Sequence, residues 1–173
     1  YKGQIDLVEG FNNLPPQFKK KYKIFFIGSG SDFEIQKLNN LIKTYKLTNH
    51  IKRIDFINEN SLTILNNFDI FFSLTKDFEG FGYSIAEALY ALTPVVSTKV
   101  GGVTEFLNNK NSTLINSGDI NSITEFLKKF LVSKKFFKKK SIIGKKNIEK
   151  KFNSNIMSKK YKDCFKKYSQ EKF

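Results

Sequence analysis

Apolar positions along the chain change their period repeatedly. Ile5, Val8, Phe11 and Leu14 recur at helical spacing, and Pro15-Pro16 is expected to stop that helix. Lys23 to Ile27 is a short apolar run ending in Gly28-Ser29-Gly30, the pattern of a strand and a turn. Ser31 or Asp32 can cap a helix with Ile35, Leu38, Leu41 and Ile42 on one face. Arg53 to Ile57 predicts a second strand, and Leu62 with Leu65 a short helix. Asp69 to Leu74 predicts a third strand, apolar enough for burial on both faces. Ser84 to Ala91 predicts a helix, Pro94 to Ser97 a fourth strand and Thr113 to Ile115 a fifth. Asp119 can cap a further helix running to about Leu131.

Alternating strands and helices predict the α/β class, a Rossmann-like parallel sheet flanked by helices. Such sheets bind ligands beyond the carboxyl ends of their strands. From Lys134 onward, lysines alternate with Phe136, Phe137, Ile142, Ile143, Ile148, Phe152, Ile156, Tyr161, Phe165 and Tyr168. Two basic amphipathic helices are expected there, broken near Asn153-Ser154. Lysine stems covering apolar surface are the plain reading; a helix lying on a membrane is the sharper one. We divide the chain into a domain over 1–150 and a basic C-terminal helix over 151–173 belonging to it.

Composition changes this picture in three ways. The 173 residues are 40% hydrophobic, enough for one domain with a sizeable core, and no apolar run is long enough to span a bilayer. The opening Tyr1-Lys2-Gly3-Gln4 has neither a methionine nor a signal pattern, so an entry in mid-protein is expected. Cys164 is the sole cysteine, which fits a reducing compartment. The expected location is the cytoplasm, with peripheral contact at the inner membrane face.

The net charge is +14, and Arg53 is the only arginine. Lys, Asn, Ile and Phe share AT-rich codons, so genomic base composition accounts for much of the lysine. An anionic membrane surface is the second reading of the charge. Nucleic acid is disfavoured, because its recognition usually draws on the arginine fork.

Candidate chemistry concentrates in Glu79-Gly80-Phe81-Gly82-Tyr83-Ser84-Ile85-Ala86-Glu87, where two glutamates are separated by seven residues. The glycines let backbone approach a ligand. The helix start after them offers unpaired N–H groups and a positive dipole end, suited to a diphosphate. Glu87 can lean back along its helix toward the same pocket, giving two hydroxyl acceptors around an anion site. Elsewhere the signals are weak. His50 is the sole histidine and reads as a surface-loop residue, which leaves no His triad or His metal site. Cys164 reads as an idle or packed thiol. Glu105 reads as helix-start charge or a ligand contact. Asp69 and Asp77 flank the end of the third strand, and a magnesium site would need two or more converging carboxylates.

The Glu79–Glu87 segment resembles the E-x7-E motif of the GT-B retaining glycosyltransferases of family 4 (glycosyl transferases group 1). Glu79-Gly80-Phe81-Gly82, Glu87-Ala88-Leu89, Thr93-Pro94-Val95-Val96 and Gly101-Gly102-Val103-Thr104-Glu105 follow in the family's order. Lys2-Gly3, Gly28-Ser29-Gly30, Phe56-Ile57-Asn58 and Gly118-Asp119 also resemble family positions. The resemblance implies the C-terminal half of a GT-B fold, lacking its first strand and with its N-terminal acceptor domain absent. It implies that Lys2 binds the donor diphosphate, Glu79 the donor sugar and Glu87 the ribose. Lys2 and Glu79 are then the catalytic candidates. Gly28, Gly30, Asn58, Gly80, Phe81, Gly82 and Tyr83 join Glu79 and Glu87 as donor-binding candidates. Leu92 and Asn58 stand where glycines are common, and the family's arginine five residues before the lysine falls outside the chain.

The implied function is transfer of a hexose from a UDP-, GDP- or ADP-linked sugar with retained anomeric configuration. The resemblance implies the nucleotide sugar as a co-substrate, with no other cofactor and no metal expected. Glycan biosynthesis is the implied setting, and the isolated fragment is expected to be inactive. A non-catalytic or degenerate nucleotide-sugar-binding module, or one subunit of a split enzyme, is the alternative.

Overall fold

A computed structural model describes residues 2–170. Tyr1, at the expected entry point, and residues 171–173 of the expected tail helix lie outside the described residues. The elements run α1 (Gln4–Asn12), α2 (Pro16–Lys19), β1 (Ile24–Ile27), α3 (Asp32–Thr44), β2 (Ile51–Ile54), α4 (Ser61–Asn66) and β3 (Phe71–Ser73). They continue with α5 (Tyr83–Tyr90), β4 (Val95–Thr98), a 3-10 turn (Gly101–Glu105), β5 (Thr113–Ile115), α6 (Ile120–Val132), α7 (Lys134–Lys151) and α8 (Ser154–Gln170).

All strand pairs are parallel. β1 pairs β2 with Ile24 opposite Ile51; β4 lies between β3 and β5, with Phe71 opposite Val95 and Val96 opposite Thr113. These pairs form two sheets, β1-β2 and β3-β4-β5. Side chains alternate faces along a strand, and the alternation sorts the core into two layers. Phe72, Val96 and Ile115 face a cluster with Val8 and Phe11 of α1, Leu38 and Ile42 of α3, and Ile123 and Leu127 of α6. Phe71, Val95 and Leu114 face the other way, onto Leu65 of α4, Ile85 and Leu89 of α5, Phe106, and Ile148 of α7. Helices therefore cover both faces, as expected.

Several boundaries differ from the sequence reading. The first helix ends at Asn12, and Pro16 opens α2 rather than only ending α1; a proline fits the first helical position, where no N–H bond is lost. Ser31, not Asp32, caps α3, accepting from the Glu34 N–H at 3.3 Å. The second strand is Ile51–Ile54, not Arg53–Ile57. Its register is set by β1, beginning with the Ile24 N–H bond to the His50 carbonyl, and Phe56 lies beyond it, 77% exposed. The third strand is shorter than predicted, and its residues are half-buried rather than buried on both faces. β3 pairs only with β4, so one of its edges is unpaired. His50 is half-buried rather than a surface residue, its ring 5.7 Å from that of Phe11. The tail break falls at Phe152-Asn153, where Asn153 Oδ1 accepts the Ile156 N–H at 2.9 Å. No helix of the described residues is long and apolar enough to cross a membrane.

Candidate active site

The loop from Leu74 to Gly82 leaves the carboxyl end of β3 and enters α5. Its conformation is fixed from three sides. On the first, Gly3 begins α1 at φ 70°, and a Cβ there would overlap the Leu74 carbonyl. Only glycine allows α1 to start so close to the strand end. This contact sets Lys2 beside the loop, and its Nζ donates to Glu79 Oε2 at 2.8 Å. On the second side, β4 ends beneath the loop. Thr98 Oγ1 donates to the Thr75 carbonyl at 2.6 Å, and the Gly102 N–H donates to the Glu79 carbonyl at 2.8 Å. A Cβ on Gly101 or Gly102 would overlap the backbone of Glu79 or Gly80. On the third side, Ser117 Oγ after β5 donates to the Lys76 carbonyl at 2.9 Å.

Glu79 is held by two donors. Besides Lys2, Thr75 Oγ1 donates to the same Oε2 at 3.2 Å, and Thr75 is itself buried. The carboxylate stays partly accessible, at 20% side-chain exposure against 49% for Lys2. Cation and carboxylate thus both keep access to solvent. A second pair ties the loop to α1: Lys76 Nζ lies 2.9 Å from Oδ1 of the buried Asp6.

Gly82 caps α5 at φ 76°, and no side chain bonds the helix start. The Ile85 and Ala86 N–H groups bond the Gly82 carbonyl at 2.9 and 3.1 Å, so those of Tyr83 and Ser84 lead the helix start, with the positive end of the helix dipole behind them. Phe81 is half-buried. Its ring lies 4.9 Å from Phe106, 5.2 Å from Phe152 and 5.3 Å from Tyr83. Gly80 and Tyr83 are exposed, and nothing stands within 4 Å of a Cβ built on Gly80.

Glu87 sits one turn further along α5, half-buried. With Asn60, Ser61, Leu62, Ala86 and Tyr90 it lines an open hollow of about 330 Å³, floored in part by Ile148. This hollow faces the start of α4, and Glu79 is not among its lining residues. Gly28, Gly30 and Asn58 are exposed in the loops after β1 and β2. Gly28 takes φ 128° and has open space around it; Gly30 has no positive φ.

Three contributors were not legible as site residues: Thr75, Lys76 and the Gly101-Gly102 pair acting as a backbone clamp. The four-residue spacing of Thr75 and Glu79 was the one available signal for Thr75. Among the described residues, no three His, Cys, Asp or Glu side chains are grouped to hold a metal ion.

The family model described as glycosyl transferases group 1 matches residues 1–150. The chain belongs to this family. A capsular polysaccharide biosynthesis glycosyltransferase of Staphylococcus aureus, CapM, is 26% identical over 99% of this chain and 46% of its own length. The O-antigen biosynthesis glycosyltransferase WclY of Escherichia coli is 28% identical over 53% of this chain and 26% of its own. The chain spans less than half the length of these curated relatives. Anabaena HepE, solved in complex with UDP, superposes with a TM-score of 0.87 at 19% identity, over 96% of this chain and 46% of HepE. The C-terminal domain of the Francisella tularensis group 1 glycosyl transferase LpcC gives a TM-score of 0.75 at 22% identity, over 88% of this chain and 80% of that one. The fold is that of the C-terminal half of a GT-B glycosyltransferase.

Proposed function

We propose that this glycosyl transferases group 1 chain binds a nucleotide-diphosphate sugar and serves as the donor half of a hexosyltransferase. The observation that carries the reading is the Lys2–Glu79 pair beside the uncapped start of α5. Lys2 and the leading N–H groups of α5 suit a diphosphate, because both supply positive potential without moving. Glu79 accepts hydrogen bonds, as hydroxyls of a sugar on that diphosphate require. The hollow lined by Glu87 and Asn60 suits a ribose and base, with Glu87 accepting from ribose hydroxyls. HepE solved with UDP and with UDP-glucose supports a uridine donor.

In transfer, the bond between the anomeric carbon and the diphosphate oxygen breaks. An acceptor hydroxyl forms the new bond, and its proton passes to the departing diphosphate oxygen. Negative charge grows on the leaving diphosphate, and Lys2 with the α5 start stabilises it. Retention of configuration rests on the resemblance of the Glu79–Glu87 spacing to the family motif. The acceptor side would come from a second Rossmann-like domain, and no metal is needed in this scheme.

Calorimetric titration of UDP-, GDP- and ADP-glucose into the chain tests the reading. One of them should bind, and Glu87→Ala should weaken it at least about tenfold. Binding unchanged in that variant would remove Glu87 from the ribose; no binding by any nucleotide or nucleotide sugar would remove the donor site.

A further inference from the structure

The two carboxylate oxygens of Glu79 have different surroundings. Oε2 takes both bonds, from Lys2 Nζ at 2.8 Å and from Thr75 Oγ1 at 3.2 Å. Oε1 takes none among the described residues. The two donors are unlike. Lys2 is half-exposed, and its ammonium sits on a long flexible stem. Thr75 is buried, and its branched side chain has few rotamers to choose from.

The backbone that carries Thr75 is fastened as well. Its carbonyl accepts from Thr98 Oγ1 at 2.6 Å, and Thr98 is buried at the end of β4, the middle strand of its sheet. The next carbonyl, of Lys76, accepts from Ser117 Oγ at 2.9 Å. The Lys76 ammonium pairs with the buried Asp6 of α1 at 2.9 Å. These contacts come from β4, from the segment after β5 and from α1. The Thr75 hydroxyl is therefore held by the sheet and its flanking helix, not by the glycine-rich turn it serves.

We propose that Thr75 is a positioning residue, anchoring Glu79 through Oε2 so that Oε1 is the atom presented to the sugar of the donor. This rests on the donor reading of the site. A diphosphate gives Lys2 a second anion to serve, and its flexible ammonium can follow. Thr75 is too short and too enclosed to follow, so it keeps the carboxylate in place when the cation is drawn away. A carboxylate oriented in advance loses less freedom on meeting a sugar hydroxyl. A nucleoside diphosphate without the sugar does not meet Glu79 in this scheme. The effect of Thr75 is thus confined to the sugar conjugate, whereas a hydroxyl that only completes the loop would affect both ligands alike.

The test is calorimetric titration of the full chain with UDP-glucose and with UDP, or with the GDP or ADP pair if the chain selects that base. Thr75→Val keeps the shape and removes the donor. It should bind UDP within about twofold of the native chain and UDP-glucose about fivefold more weakly. Thr75→Ser restores the hydroxyl and should bring UDP-glucose back to within about twofold. Thr93→Val is the control for stability alone. It removes an equally buried hydroxyl, bonded to the Leu65 carbonyl at 2.7 Å, and should leave the ratio of the two affinities unchanged. If Thr75→Val does not fold, Thr75→Cys, similar in size and only a weak donor, carries the comparison. An unchanged ratio in the Thr75 variant, a Thr75→Ser chain as weak as Thr75→Val, or the same shift in Thr93→Val would each overturn the proposal and leave the donor site standing. A native chain that binds none of the nucleotide sugars would instead remove the donor reading, and this inference with it.

Discussion

The Ser141 hydroxyl donates to the Leu92 carbonyl at 2.8 Å, and Leu92 stands in the left-handed conformation with φ 61°. It ends α5, and the Thr93 N–H reaches back to the Ala88 carbonyl at 2.8 Å. A leucine in this conformation costs about 1–2 kcal/mol relative to one in a right-handed well. Leu92→Gly should remove that strain and lose part of the gain to unfolded-chain entropy, leaving about 0.5–1 kcal/mol. A rise of about 1–4 °C in Tm is expected by calorimetry. A fall of the same size would mean that the half-buried side chain contributes more than the strain costs.

Lys2 and Glu79 should separate the diphosphate from the sugar. Lys2→Ala should weaken a free nucleoside diphosphate and its sugar conjugate alike, by about tenfold or more. Glu79→Gln removes the carboxylate that shares Lys2. Free diphosphate should then bind as tightly as before or more tightly, while the nucleotide sugar weakens by about tenfold. Titration of the two ligands against both variants measures this. Equal losses for both ligands in Glu79→Gln would overturn the assignment of Glu79 to the sugar.

Gly102 and Gly80 make a matched pair for testing the loop. A Cβ on Gly102 would strike the Gly80 carbonyl, backbone against backbone, whereas a Cβ on Gly80 meets nothing within 4 Å. Gly102→Ala should destabilise by about 2 kcal/mol or more, because the loop must move. Gly80→Ala should leave urea-unfolding stability within about 0.5 kcal/mol. Equal effects in the two variants would show that the clamp is loose.

Asp119 gives a pH signature. It caps α6, with Oδ1 accepting the Ser122 N–H at 2.9 Å and Oδ2 the Ser122 hydroxyl at 2.7 Å. The bond from the Ser122 backbone, and then that from its hydroxyl, hold the carboxyl below its usual value. A depressed carboxyl contributes stability above its unfolded value, about 3.9, and loses it as pH falls through the folded value. Asp119→Asn should therefore be less stable than the native chain at neutral pH. That gap should close as urea unfolding is followed below about pH 4. A gap that is constant with pH would show that the ionised form is not what caps the helix.

Elements with a strong local cause were readable from the chain. Asp119 and the break at Asn153 are side chains that bond their own backbone, and the Pro94 strand is a buried apolar run. What distant partners decide was not readable. β2 begins at Ile51 because β1 pairs there, although Phe56 and Ile57 look more strand-like in isolation. The half-burial of Phe71 and Phe72 depends on how many neighbours β3 has, which no local pattern records. In the site, the spacing of Glu79 and Glu87 marked the loop and the following helix. It did not show that Glu87 lines a hollow with Asn60 and Ser61, since that depends on where α4 starts. Thr75 was invisible because a buried threonine at a strand end is ordinary until its hydroxyl is found on Glu79.

Phe152 packs against Phe81 with tilted rings, yet it lies two residues past the region shared with the family. A floor beneath the Gly80–Gly82 backbone is thus supplied by a residue that family membership does not require. Cutting the chain at the family boundary would keep every motif and still take away part of what the motif rests on. For expression or domain grafting, the working unit extends at least through Phe152.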